Sequence, residues 1–102
     1  MAFTKVATIE ELPAGTARAV VINGRKLALF NLGGNLYAIE DTCTHRGAPL
    51  SEGECEGTIV ICPWHGAQFD MTTGSYLSPP ASRGVATYKV QVVGDEIHAD
   101  VP

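Results

Sequence analysis

Two short stretches of this chain set a thiol beside an imidazole. Cys43-Thr-His45 and Cys62-Pro-Trp-His65 stand sixteen residues apart, and each offers one sulfur and one nitrogen donor. A lone Cys-x-x-His pair is weak, because two metal-capable residues often fall close together by chance. Two such pairs, each closely followed by a glycine (Gly47 and Gly66), form a pattern. Two metals suit it better than one. A binuclear centre can take both sulfurs on one iron and both nitrogens on the other, each segment contributing once to each metal. A single zinc ion held by two Cys and two His is the rival reading, and it would make the chain a zinc-stapled interaction module without redox chemistry. Zinc fingers order their ligands Cys, Cys, His, His, whereas here thiol and imidazole alternate. The bland alternative is four ordinary buried side chains.

Ligands at this spacing need a rigid scaffold, and the rest of the chain supplies short apolar runs separated by turn signals. Residues 17–22 lead into Asn23-Gly24, a strong hairpin signal, and then into 25–32. Gly33-Gly34-Asn35 marks the next turn before 36–40, and 58–61 runs straight into Cys62. Ala86, Tyr88, Val90 and Val92 alternate with Thr87, Lys89 and Gln91. After Gly94-Asp95, Ile97, Ala99 and Val101 alternate with Glu96, His98 and Asp100. This period of two predicts strands with one buried face. Only 8–12 suits a turn of helix, and Pro13 stops it. The expected fold is all-β, antiparallel, a small barrel or sandwich. Residues 41–57 and 63–84 break the strand rhythm and read as the long loops that carry function.

The totals narrow the function classes. A chain of 102 residues is expected to form one domain, 1–102, with a single core. Its formal charge of −4 and seven scattered basic residues argue against nucleic acid. No apolar run approaches the roughly 18 residues that span a bilayer, and the first residues lack a signal core, so a cytoplasmic protein is expected. Three cysteines suit a disulfide framework poorly, and in a reducing compartment Cys near His points to metal.

With "CTHRGAPL" (43–50) and "CPWHGAQFD" (62–70), the chain resembles the Rieske [2Fe–2S] proteins, and most of its length resembles the small Rieske-type ferredoxins of bacterial aromatic-ring-hydroxylating dioxygenase systems. The resemblance implies one [2Fe–2S] cluster held by Cys43, His45, Cys62 and His65. It implies a three-sheet fold whose two ligand loops form the cluster-binding tip, with Leu77-Ser78-Pro79-Pro80 as a covering proline loop. It further implies an electron carrier, not an enzyme, loaded by a flavin-dependent ferredoxin reductase and discharged to a terminal oxygenase in aromatic hydrocarbon catabolism. A Rieske-like small subunit of another reductase, such as a nitrite reductase, is the alternative. An oxygenase site in this chain is excluded, since only His98 remains once the ligands are assigned.

High-potential members of the resembled family carry a bracing disulfide and two hydroxyls aimed at sulfur. The matching positions here are Ala48 and Trp64 for the disulfide, and Ala67 and Phe69 for the hydroxyls. Hydrogen bonds to sulfur stabilise the reduced, more negative state, so their loss places the expected potential at roughly −150 to 0 mV. Imidazole ligation would also make the potential fall at alkaline pH. Among the remaining residues, Cys55 reads as a spare thiol disfavoured as thiolate by Glu54 and Glu56, and His98 as a solvated side chain. Glu52, Glu54 and Glu56 read as a solvated acidic loop. Trp64 is a candidate for docking or shielding, and Arg46 for favouring reduction or meeting an acidic partner.

Overall fold

The computed structural model describes residues 3–43, 48–64, 66–78 and 84–102. The chain begins with β1 (Phe3–Thr8), a strand whose mixed composition gave no clear alternation. The expected helical turn follows as a 3₁₀ turn, Ile9–Glu11. The Glu11 carboxylate closes it by accepting the N–H of Thr8 at 2.9 Å. Next come β2 (Ala17–Ile22) and β3 (Arg25–Leu32), paired from Ala17↔Phe30 to Ile22↔Arg25. Asn23 and Gly24 take φ +53° and +77° between them, the left-handed pair a two-residue hairpin turn demands. β4 (Asn35–Glu40) pairs with β3 across Gly33-Gly34, so Asn35 belongs to the strand and not to the turn.

The next segments depart from the sequence expectation. The regions read as long loops contain a 3₁₀ turn (Leu50–Glu52) and three strands, β5 (Glu54–Glu56), β7 (Gln68–Asp70) and β8 (Tyr76–Ser78). Together with β6 (Ile59–Ile61) they form a sheet of their own. Each strand has three residues, too few for a period of two to be visible, and β5 is Glu-Cys-Glu.

The run 86–92, expected as one strand, is two. β9 (Thr87–Tyr88) pairs with β4, and β10 (Val90–Val93) pairs with β11 (Glu96–Asp100). The chain changes sheets at Lys89, whose carbonyl accepts the N–H of Asp100 at 2.9 Å. Val92 and Val93 lie on this outer strand about half exposed, against the expected burial of Val92. Ile97, Ala99 and Val101 are buried as their alternation requires.

Three antiparallel sheets result, ordered β1-β11-β10, β2-β3-β4-β9 and β5-β6-β7-β8. None closes into a barrel among the described residues, and the arrangement is a small sandwich. Two apolar cores fill it. The base core gathers Val6, Ala7, Leu12, Leu27, Leu29, Ala38, Ile97, Ala99 and Val101. The tip core gathers Ala28, Phe30 and Ile39 with Cys43, Leu50, Val60, Cys62, Phe69, Met71 and Val85. β3 lies between them: Leu27 and Leu29 face the base, Ala28 and Phe30 the tip. A strand buried on both sides reads as a continuous apolar run, which explains "LALF". No helix among the described residues is long and apolar enough to cross a membrane.

Candidate metal centre

Both candidate thiols leave strand ends into the tip core. Past β4, the chain runs Asp41-Thr42-Cys43, and the N–H of Cys43 bonds the carbonyl of Ala48 at 2.9 Å. Thr42 forms an antiparallel bridge with Pro49, and the N–H of Leu50 reaches the carbonyl of Asp41 at 2.8 Å. Past β6, the N–H of Cys62 bonds the carbonyl of Ala67 at 2.7 Å. Inside this second loop the N–H of Gly66 returns to the carbonyl of Cys62 at 3.1 Å. Gly66 takes φ +76°, which a side chain would resist. Each cysteine thus closes a loop with the residue five positions on, and the two stretches, which both read Cys-x-x-x-Gly-Ala, share one backbone bond.

Cys43 and Cys62 are 1% and 2% exposed and fall in the same core cluster. No disulfide involves either of them. His45 and His65 lie outside the described residues, as do Arg46, Gly47, Pro79 and Pro80. Among the described residues no set of three or more His, Cys, Asp or Glu converges, so neither Cys55, Asp41 nor His98 joins the thiol pair. Ala48, Ala67 and Phe69 are fully buried in the same cluster, and Trp64 projects from the second loop 56% exposed. Glu52 and Glu54 line a groove with Ile61, Cys62, Pro63 and Gly66, which gives the surface beside this loop an acidic rim.

Two of the individual readings change. Cys55 sits on an exposed strand opposite Val60, and its thiol is held above its ordinary value by desolvation, not by the flanking carboxylates. His98 is not simply solvated. Its side chain is 20% exposed and its Nε2 lies 3.0 Å from Oε1 of Glu96, which also pairs with Lys5 at 3.6 Å. The hydrogen bond from His98 and then the Lys5 charge hold the Glu96 carboxyl below its usual range. Asp41 was not singled out from sequence. It is 7% exposed, and its Oδ1 accepts the N–H of Ser51 at 2.7 Å. Nothing in "AIEDTC" distinguishes a buried aspartate from a solvated one.

Buried, reduced thiols opened by matched backbone loops suit a thiophilic metal far better than a proton-exchanging or nucleophilic site. The structure thus places two thiols in one core of an all-β scaffold, and comparison with known proteins makes the class specific. Residues 2–89 match the Rieske [2Fe–2S] domain. The ferredoxin component of the naphthalene 1,2-dioxygenase system of Pseudomonas aeruginosa is 36% identical over 91 residues, covering 89% of this chain and 88% of that protein. Among solved structures, the ferredoxin of carbazole 1,9a-dioxygenase from Nocardioides aromaticivorans IC177 superposes with a TM-score of 0.90 at 31% identity, covering 97% of each chain. A chain in the complex of reduced oxygenase and oxidised ferredoxin of carbazole 1,9a-dioxygenase gives 0.86 at 37% identity, covering 95% of this chain and 91% of that one.

The chain belongs to the Rieske [2Fe–2S] family, and it carries one Rieske-type [2Fe–2S] cluster. The thiol pair fits that group, and the zinc reading is set aside.

Proposed function

We propose that this chain is a single-domain, soluble, cytoplasmic one-electron carrier of a multicomponent oxygenase system, and not itself an enzyme. Cys43 and Cys62 would hold one iron and His45 and His65 the other. When bound, the cluster supplies one reversible electron at a site that two thiolates and two neutral imidazoles leave uncharged in the oxidised form. The protein's own part is to bury the two thiols and to close each cysteine loop by one backbone bond. Ala67 and Phe69 offer no hydroxyl to sulfur, which favours a potential in the lower part of the Rieske range, roughly −150 to 0 mV. A flavin-dependent reductase would deliver the electron and a terminal oxygenase would receive it. Trp64 is the exposed aromatic best placed to meet either partner, since indoles are enriched where interfaces carry energy.

The observation that carries this reading is the pairing of two buried thiols in matched loops at one end of a chain whose relatives are ferredoxin components of dioxygenase systems. Electron paramagnetic resonance after dithionite reduction tests the ligand set: mixed nitrogen and sulfur ligation gives an average g value well below that of four-thiolate clusters. A four-thiolate signature, or a colourless zinc protein, would refute it. Function is tested by reconstitution. The chain should support substrate-dependent oxygen consumption by a ring-hydroxylating oxygenase and its reductase, and Trp64→Ala should slow that transfer without changing the resonance spectrum.

A further inference from the structure

Two contacts outside the ligand set connect the stem of one cysteine loop to the stem of the other. The first is the carboxylate of Asp41, two residues before Cys43. Its Oδ1 accepts the backbone N–H of Ser51 at 2.7 Å, in a place only 7% exposed. Ser51 lies in the 3₁₀ turn Leu50–Glu52, whose end is fixed by the bond from the N–H of Gly53 to the carbonyl of Leu50 at 3.0 Å. The second contact is made by Gly53 itself. A Cβ built there would overlap the carbonyl oxygen of Ile61, the residue before Cys62, and would stand 3.1 Å from the Ile61 carbonyl carbon and 3.3 Å from the carbonyl oxygen of Leu50. Backbone rests directly on backbone, and the next residue pair, Glu54↔Ile61, begins the tip ladder.

The chain of contacts therefore runs Asp41, Ser51, Gly53, Ile61, from just before one cysteine to just before the other. We propose that Asp41 and Gly53 are positioning residues that set the separation of Cys43 and Cys62, and hence the geometry in which the two thiolates share an iron. The proposal rests on the reading of those cysteines as ligands. The Asp41 side chain supplies an acceptor that no apolar residue can, and an unpaired, partly buried Ser51 N–H would free the stem to shift. Gly53 supplies the absence of a Cβ. Its φ of −80° and ψ of 165° are ordinary for any residue, so steric overlap and not backbone strain is what an alanine would meet.

The test compares wild-type holoprotein with Asp41→Ala, Asp41→Asn, Gly53→Ala and Ser51→Ala. Two quantities are read: the rate of iron release to a chelator and the g values of the dithionite-reduced protein. Asp41→Ala and Gly53→Ala should release iron roughly tenfold faster, as loss of a supporting contact behind a metal ligand does, and should displace the g values. Asp41→Asn keeps an oxygen acceptor and should restore both quantities. Ser51→Ala keeps the backbone N–H and should match wild type. The proposal is overturned if Asp41→Ala behaves as wild type, if Asp41→Asn fails to rescue it, or if Ser51→Ala is as damaging. Should Gly53→Ala not fold, the Asp41 pair decides. A wild-type spectrum without mixed nitrogen and sulfur ligation would instead overturn the ligand assignment on which the proposal stands.

Discussion

At the base of the molecule β1, β2 and β4 have six residues each and β3 has eight, while at the tip every strand of the β5–β8 sheet has three. The base is ordered by its ladders and by side chains in alternation. The tip has only short ladders, and its order comes also from loop-closing backbone bonds and from glycine contacts. Gly74 and Gly84 show the same economy as Gly53: a Cβ on Gly74 would overlap the Val85 carbonyl oxygen, and one on Gly84 the Gly74 carbonyl oxygen. Short strands alone are marginal, so the tip depends on the base beneath it and, under the proposed ligation by Cys43 and Cys62, on its cluster. Local stability should differ accordingly between the two ends.

The largest expected effect is the loss of one thiol. Cys62→Ser should lose the cluster and open the tip while the base stays folded. Hydrogen exchange would then become fast at the amides of Met71 and Asp70, which bond Thr58 and Ser75, but remain slow at Leu29 and Ile97. Equal loss of protection at both ends would show that the molecule is one cooperative unit.

Next in size are truncations on either face of β3. Phe30→Ala and Leu29→Ala each remove a fully buried side chain from adjacent positions, and each should cost about 3–5 kcal/mol. Only Phe30→Ala should also hasten iron release, because only Phe30 packs with the cysteines. Denaturation paired with a chelator assay separates the two.

A smaller change is confined to the tip. Ala67→Ser with Phe69→Tyr should raise the midpoint potential by on the order of 100 mV, since a hydrogen bond to a charged group is worth roughly 1.5–3 kcal/mol and only part of it distinguishes the redox states. Redox titration reads the shift, and no change would mean that neither hydroxyl reaches sulfur.

The smallest effect is that of acid. Glu11 is held below its ordinary value by the Thr8 N–H and then the Arg18 charge, Glu96 by His98 and then Lys5, and Asp70 by the hydroxyl and N–H of Thr72. Depressed carboxyl values mean stability that is complete above the ordinary values, 4.5 for glutamate and 3.8 for aspartate, and lost as pH falls through the lower folded ones. All three carboxylates are exposed, so the loss should be slight. It should be larger at the base, which holds two of them. A Glu11→Gln, Glu96→Gln protein should show a flatter decline of its urea midpoint below pH 4.5.

Much of this was legible because local chemistry wrote it down. The hairpin at Asn23-Gly24 needs two left-handed residues and has them. The alternation of Ile97, Ala99 and Val101 records a face buried by neighbours on both sides. The pairs Cys43/His45 and Cys62/His65 stood out because ligation of a metal would demand such donor types at such spacing. What stayed hidden depended on partners far along the chain. The strands β5, β7 and β8 exist only as a set, and the break at Lys89 follows from two sheets competing for one run of chain.

The sequence by itself singled out the proposed donors, the all-β class and the positions without a hydroxyl, since each is a matter of residue type or short-range pattern. Only the tertiary structure decided that Cys43 and Cys62 enter one core, that Asp41 is buried and that Gly53 touches Ile61. Those are facts of approach between segments, and approach is fixed by packing, on which no single residue's chemistry reports.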